Sequence, residues 1–238
     1  MKGVALSIFD RLARRAFKQL PAPLLGRRWP TSSFDVLDVA FLKSACESAE
    51  YYEAHMRKAT TFATDLDLLK HAMSLARPDG LFLEFGVAGG HTIRCIAGHH
   101  AGTVYGFDSF EGLPEDWRTN YPKGVFADQK PRGLPANVSL IVGWFSETLP
   151  DFVKSINAPI SFMHIDCDLY SSARCIFDNL KRHIAPGCVI VFDEYFNYPG
   201  WREDEFRAFH EFLDETGLSY RYVGFVPSHQ QVCVVLGA

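Results

Sequence analysis

Short apolar runs alternate with helical patterns from residue 81 onward, and this alternation constrains the fold more than any other feature of the chain. Turn residues bound each run, and a helical pattern such as 171–184 separates one run from the next. Apolar strands that alternate with helices form a parallel sheet covered on both faces. We predict five such strands: Leu81–Phe85, Thr103–Phe107, Val138–Val142, Ile160–Ile165 and Cys188–Phe192.

The C-terminal part of the chain adds two strands of a different kind. A helix predicted over Glu203–Thr216 is followed by strand patterns at Tyr220–Val226 and Gln230–Leu236. Their short link, Pro227-Ser228-His229, favours an antiparallel hairpin. The sequence therefore predicts an α/β fold: a doubly wound, mostly parallel sheet of seven strands with a C-terminal antiparallel hairpin.

Helical patterns without strands precede the sheet. One covers residues 35–58, and another covers Asp65–Arg77, which ends at a Pro-Asp-Gly turn signal. We therefore expect N-terminal accessory helices. Residues 1–60 are predicted to be a helical accessory segment, and residues 61–238 the main domain.

Residues 1–20 form a basic amphipathic pattern that stops at Pro21. Residues 1–30 hold seven Lys or Arg against the single Asp10. Two interpretations stay open: contact with an anionic membrane surface, or a helix that packs on its own domain or on a second copy in a homo-oligomer. The packing interpretation is favoured over membrane contact.

Charge and cysteine content exclude several classes of protein. The formal net charge of −4 gives no global basic footprint, so we expect no nucleic-acid partner. No apolar run reaches the roughly 18 residues that a bilayer span needs. The six cysteines are scattered and never form C-x-x-C, which favours free thiols and a cytoplasmic location over a zinc site or a disulfide framework.

The turns after the first two strands predict a nucleotide-type ligand. Glu84 and Gly86 begin a glycine-rich turn that runs to Gly90 and into a helix, whose N-terminus offers free N–H groups. Asp108, 24 residues after Glu84, ends the second strand, where an acidic side chain accepts hydrogen bonds from ribose hydroxyls. A tight turn without a ligand stays open. Ala88 breaks the dinucleotide pattern G-x-G-x-x-G.

Carboxylates follow two later strands. Asp166 and Asp168 come after the fourth strand, and Asp193 and Glu194 after the fifth. Crowded carboxylates repel one another, so a cation is their simplest partner, and all-oxygen ligands favour Mg²⁺. The alternative is structural: Asp168 caps the next helix, and Glu194 is a solvated rim residue.

These segments resemble the class I S-adenosylmethionine-dependent methyltransferases, and among them the macrocin O-methyltransferase-like family. The resemblance rests on four stretches that run in order over about two thirds of the chain. They are Leu83-Glu84-Phe85-Gly86-Val87, the stretch from Tyr105 to Pro114, His164-Ile165-Asp166-Cys167-Asp168-Leu169-Tyr170, and Pro186-Gly187 leading to Phe192-Asp193-Glu194-Tyr195.

The resemblance implies a Rossmann-like fold and a role for each matching residue. It implies S-adenosylmethionine bound by the strand-end residues Glu84, Gly86, Gly90, Asp108, Ser109, Trp144, Phe145 and Asp166. It also implies Mg²⁺ held by Asp166, Asp193 and Glu194, although relatives usually have Asp or Asn at the last position. Leu169 stands where catechol O-methyltransferase has its catalytic lysine.

The leading hypothesis is methyl transfer to a hydroxyl on a small molecule, a sugar or a secondary metabolite. Asp168 is the first candidate for the base and His164 the second, because a His in an apolar strand is more often a core residue. The aromatic residues after the fifth strand either wall an acceptor pocket or pack the next helix: Tyr195, Phe196, Tyr198 and Trp201. A nicotinamide-dependent oxidoreductase and a non-catalytic binding protein are the alternative functions.

Overall fold

The computed structural model describes residues 33–237, so the predicted basic helix over residues 1–20 lies outside the described residues. No helix in the described part of the chain is long and apolar enough to cross a membrane. By its internal contacts the chain divides into two units, residues 1–43 and residues 44–238. Every strand lies in the second of these units. The predicted domain boundary at residue 60 stays a prediction.

Eight strands and six α-helices make up the described chain. The strands are β1 (Thr60–Thr61), β2 (Leu81–Phe85), β3 (Val104–Asp108), β4 (Val138–Val142), β5 (Ile160–Ile165), β6 (Ile184–Phe192), β7 (Ser219–Phe225) and β8 (Val232–Gly237). The helices are α1 (Val36–Tyr51, continued by a π-helical turn, Tyr52–Met56), α2 (Asp65–Leu75), α3 (His91–His99), α4 (Phe145–Ser155), α5 (Tyr170–Leu180) and α6 (Glu205–Thr216).

The strands form one mixed sheet in the order β1-β7-β8-β6-β5-β2-β3-β4. All neighbours are parallel except β8, which runs antiparallel to both β6 and β7. The predicted α/β class and C-terminal hairpin are confirmed. The eighth strand, β1, is exposed and only two residues long, so it leaves no alternating pattern in the sequence. The strand order reverses between β2 and β5, which is where ligands bind in open α/β sheets.

One predicted boundary is wrong. The helix expected over 171–184 ends at Leu180, and β6 begins at Ile184 instead of Cys188. Pro186 and Gly187 therefore lie inside a strand. The register of β6 against β5 shifts there, so this pair sits in an irregular stretch where a missing N–H is tolerated.

The core occupies both faces of the sheet. On β2, Leu83 and Phe85 belong to one cluster of buried side chains and Phe82 to the other. All six residues of β5 are buried, as expected for a central parallel strand. Both faces of the sheet are covered by apolar side chains. A ligand can therefore reach the sheet only at the ends of the strands, and the polar residues lie at the carboxyl ends.

Candidate active site

A cavity of about 620 Å³ lies at the carboxyl ends of β2 to β6. Residues from all five strand ends line it. Eight predicted site residues belong to its wall: Gly86, Asp108, Ser109, Trp144, Phe145, Asp166, Asp168 and Glu194. The other four, Glu84, Gly90, His164 and Asp193, do not belong to this wall.

The loop after β2 requires glycine for steric reasons. Gly86 has φ +88°, and a Cβ built there would lie 1.7 Å from the carbonyl oxygen of Asp166. Gly90 has φ +77° and stands at the N-cap of α3. The loop therefore passes against the backbone at the end of β5, and its close approach brings the ends of β2 and β5 together.

Arg94 on α3 ties this loop to the long segment 109–137 that joins β3 to β4. Its Nη1 donates to the carbonyl oxygens of Gly89 at 2.8 Å and Gly90 at 2.6 Å. Its Nη2 donates to the carbonyl oxygen of Arg132 at 2.6 Å. The sequence analysis missed this residue, because its three acceptors are backbone atoms that leave no pattern in the sequence.

Asp108 holds the same loop from the other side. Its Oδ2 accepts hydrogen bonds from the backbone N–H groups of Val87 and Ala88, both at 2.8 Å, and its Oδ1 accepts one from Phe110 at 2.7 Å. A carboxylate offers about four lone-pair sites, so roughly one is left for a ligand. Asp108 therefore shapes the cofactor-type loop as well as lining the cavity.

Glu84 and His164 form a buried pair between β2 and β5. His164 Nδ1 lies 2.9 Å from Glu84 Oε1, and both side chains are almost fully buried. Burial alone would lower the pKa of His164, but the nearby carboxylates of Asp193 and Glu84 raise that pKa well above its usual value. His164 thus pairs with carboxylates inside the sheet.

A cluster that can hold a cation adjoins this pair. His164, Asp166 and Asp193 each offer one ligand atom, and these atoms all lie within 4.8 Å of one another. Glu194 is outside this group. Its Oε2 is nevertheless buried, with no hydrogen-bond partner among the described residues, so it is not the solvated rim residue of the structural alternative.

The carboxylates of this cluster perturb one another. Burial, followed by the charge of Asp193, raises the pKa values of both Asp166 and Glu194 well above their usual range. For Asp193 itself, burial would raise the pKa, but the nearby His164 ring, 3.9 Å away, lowers it. Such crowding is unfavourable unless protons or a cation neutralise it.

Asp168 faces the cavity in a left-handed backbone conformation, with φ +63°. The N-cap of α5 is Leu169, with no side-chain capping hydrogen bond, so the capping alternative for Asp168 is not observed. Burial raises the pKa of Asp168 to about 7, against the opposing charge of Arg118. The Arg118 guanidinium stacks on the Trp117 ring at 3.8 Å.

Two further findings concern the loop after β6 and the start of α6. Tyr195, Tyr198 and Trp201 are no more than 1% exposed and belong to the main core, which confirms the packing alternative for these rings. Glu205, which the sequence analysis missed, is fully buried and accepts hydrogen bonds from the N–H groups of Cys167 and Glu194.

Residues 83–195 match the family model described as a methyltransferase domain. This segment contains the glycine loop, Asp108 and the acidic cluster, on a sheet with the strand order given above. This part of the chain, just under half of its length, is therefore similar to a methyltransferase domain.

Two curated relatives are O-methyltransferases from Streptomyces. One, from Streptomyces olivaceus, is "8-demethyl-8-(2,3-dimethoxy-alpha-L-rhamnosyl)-tetracenomycin-C 4'-O-methyltransferase", 29% identical over 55% of this chain and 59% of the relative. The other, from Streptomyces niveus, is "demethyldecarbamoylnovobiocin O-methyltransferase", 24% identical over 80% of this chain and 74% of the relative. The match thus spans less than two thirds of the first relative's length.

Solved structures of similar fold include two methyltransferases. The O-methyltransferase NovP is 19% identical with a TM-score of 0.55, over 85% of this chain and 98% of that one. The calicheamicin methyltransferase CalS11 is 18% identical with a TM-score of 0.54, over 98% and 94% of the two chains. At these identities the likeness concerns the fold alone.

Proposed function

We propose that this protein transfers the methyl group of S-adenosylmethionine to a hydroxyl of a small neutral molecule, a sugar or another secondary metabolite. One observation carries the proposal: the glycine loop, Asp108 and Asp168 line a single cavity, where a methyl donor and a base would lie close together. The names of the two curated relatives, which describe O-methylation of tetracenomycin and novobiocin precursors, point the same way.

The donor would bind on the side of β2, β3 and β4. Gly86 gives close access to the backbone, and Asp108 with Ser109 stands where the ribose hydroxyls would lie. Trp144 and Phe145, after β4, offer apolar rings to the adenine. Glu84 and Gly90 would act from outside the cavity wall, Gly90 by shaping the start of α3.

Asp168 is the proposed base. Its carboxylate would take the proton of the acceptor hydroxyl while the oxygen attacks the methyl carbon and the C–S bond breaks, which leaves an ether and S-adenosylhomocysteine. A pKa of about 7 leaves part of Asp168 ionised at neutral pH, as a general base requires. His164 is the weaker candidate, because Glu84 occupies its Nδ1 inside the sheet.

A divalent cation fits the acidic cluster. The buried Glu194 Oε2 has no hydrogen-bond partner among the described residues, and the charged form of Asp166 is disfavoured, so a cation would stabilise both carboxylates. We propose that Asp166, Asp193 and Glu194 hold Mg²⁺, which prefers oxygen ligands. The ion would bind the acceptor oxygen and lower its pKa when bound.

The charge of the cavity wall supports a neutral acceptor. Among the described residues the wall carries four carboxylates, Asp108, Asp166, Asp168 and Glu194, and no lysine, arginine or histidine. A phosphate or carboxylate group on the acceptor would lie beside carboxylates of the same charge sign. A neutral glycoside would meet acceptors for its hydroxyl protons instead.

A methyl-transfer assay tests the proposal. The protein is incubated with S-adenosylmethionine and a panel of neutral glycosides, each paired with its sugar phosphate, and S-adenosylhomocysteine and methylated product are quantified by mass spectrometry. We expect product only with neutral acceptors. Tighter binding of NADH than of S-adenosylmethionine would favour the oxidoreductase alternative, and donor binding without any product would favour the non-catalytic one.

The metal is tested in the same assay. Turnover should stop in EDTA and return when Mg²⁺ is restored, whereas turnover that survives EDTA would contradict the metal site and leave Asp168 to act alone.

The free state of all six cysteines supports a cytoplasmic location, which fractionation of the source cells would check.

A further inference from the structure

Glu205 links two loops of the active site through its single carboxylate. It is the first residue of α6 and is fully buried. Its Oε1 accepts a hydrogen bond from the N–H of Cys167 at 3.1 Å, and its Oε2 accepts one from the N–H of Glu194 at 3.3 Å. Cys167 lies between Asp166 and Asp168 after β5, and Glu194 follows Asp193 after β6.

The surroundings of Glu205 are energetically unfavourable for an ionised carboxylate. Burial raises its pKa well above the usual range, and the charges of Asp168 and Asp193 raise it further, while the hydrogen bond from the Cys167 backbone opposes them. A buried charge among like charges does little for stability, and an apolar side chain of similar volume would serve the core as well. Core stability therefore does not explain a carboxylate at this position, whereas its two hydrogen bonds to the backbone do.

We infer that Glu205 is a positioning residue, which sets the spacing between the loop that carries Asp166 and Asp168 and the loop that carries Asp193 and Glu194. This inference rests on the proposed function of those carboxylates. The two oxygens of this one carboxylate each accept a hydrogen bond from the backbone of a different loop. When the two loops keep one spacing, the proposed base and the proposed metal ligands keep one mutual geometry.

The neighbouring Asp204 extends this link to the long segment 109–137. Its Oδ2 accepts hydrogen bonds from Trp117 Nε1 at 2.9 Å and from the Tyr198 hydroxyl at 3.1 Å. The start of α6 therefore contacts the loops after β5 and β6, on the proposed acceptor side, and also the segment that joins β3 to β4. The donor side is held by other groups, Arg94 and Asp108, so Glu205 should affect the two sides unequally.

Glu205→Gln tests the inference with minimal change of shape. Glutamine keeps one acceptor oxygen but replaces the other with an NH₂ group, so one of the two backbone N–H groups would face a donor. The control is Glu215→Gln, which neutralises an exposed carboxylate in the last turn of the same helix, where Glu215 pairs with Arg174 and Lys181.

Three measurements are made on wild type and both variants. We expect Glu205→Gln to lower kcat by about 10- to 100-fold, as misplacement of about 1 Å does, with the Kd for S-adenosylmethionine unchanged within about twofold. Amide hydrogen exchange should become faster in peptides that contain Cys167 or Glu194. Glu215→Gln should leave kcat, Kd and exchange as in wild type.

The inference would be overturned by unchanged exchange in both peptides, or by faster exchange with kcat kept within about twofold. A cofactor Kd weakened as much as kcat would also overturn it, since the effect would then not be confined to the acceptor side. If Glu205→Gln does not fold, Glu205→Asp, which keeps the carboxyl group but is too short to reach both N–H groups, decides by the same readouts. A wild type that methylates no acceptor would refute the proposed function alone, because hydrogen exchange still reports whether Glu205 holds the two loops.

Discussion

The loops after β2 and β3 are held by hydrogen bonds between the backbone and two side chains, Asp108 and Arg94. The loops after β5 and β6 instead carry buried carboxyl groups. On the first side Asp108 accepts three N–H donors, and Arg94 donates to three carbonyl oxygens. On the second side Asp166 and Glu194 have raised pKa values, and one oxygen of Glu194 has no partner among the described residues.

This difference indicates which side is preorganised and which side is completed by what binds there. A network of satisfied hydrogen bonds holds its shape without a ligand. Crowded carboxylates remain unfavourable until a proton or a cation arrives. We therefore expect variants on the donor side to change cofactor affinity, and variants on the acidic side to change kcat, metal dependence and the response to pH.

The largest effect is expected for Asp168→Asn. An amide cannot accept the acceptor's proton, so kcat should fall by about 10²- to 10⁴-fold, the usual contribution of a general base. The Kd for S-adenosylmethionine, measured by calorimetry, should stay within about twofold because the loop after β2 is untouched. Loss of cofactor binding in this variant would break the division between the two sides.

The stability of the metal-free protein should depend on pH through the same residue. The pKa of Asp168 is raised from its usual value of 3.8 to about 7, so the folded state holds this proton more tightly than the unfolded state. Its contribution is therefore fully present below about pH 4 and is lost as pH rises through 7, by about 4 kcal/mol at most. Urea unfolding should show a fall in stability over this range that is less steep in Asp168→Asn.

The control for this measurement is Asp214→Asn, which removes an exposed carboxylate. Its pH profile should run parallel to that of wild type. An Asp168→Asn profile that is equally parallel would show that the acidic side does not carry the pH response, and the comparison of the two sides would need revision.

The next largest effect is expected for Asp193→Asn, on the dependence of activity on Mg²⁺. The amide is nearly isosteric but neutral, so the Mg²⁺ concentration for half-maximal activity should rise at least about 10-fold, comparable with the loss of a supporting contact in other metal sites. Titration of Mg²⁺ at saturating S-adenosylmethionine measures this value. Glu194→Asp, with its shorter acid, should have a milder effect; equal loss in both variants would contradict the proposed ligand set.

The smallest of these effects is expected for Asp108→Asn. One of its oxygens becomes an NH₂ group that faces backbone N–H donors, so the loop and the ribose contact should together lose about 1–2 kcal/mol, or roughly 5- to 30-fold in cofactor Kd. The kcat at saturating cofactor should change little. Unchanged cofactor affinity would show that Asp108 only shapes the loop and does not contact the ribose.

Much of the fold and of the donor side could be predicted because their signals are local. Each strand from Leu81 onward is a short apolar run between turn residues, and the glycine loop and Asp108 follow the first two strands directly. The boundary between α5 and β6 was wrong because Pro186 and Gly187 end helices in general, while here the pairing of β6 with β5 places them in an irregular strand.

The sequence by itself determined the α/β class, the alternation of strands and helices, and the carboxylates at the strand ends, since periodicity and turn chemistry act over a few residues. Only the tertiary structure decided that Tyr195 and Trp201 pack in the core, that Glu84 pairs with His164, and that Glu205 joins two loops. Glu84 and His164 are 80 residues apart, and Glu205 is 38 residues from Cys167. Such contacts depend on which strands become neighbours, and a local pattern does not record that choice.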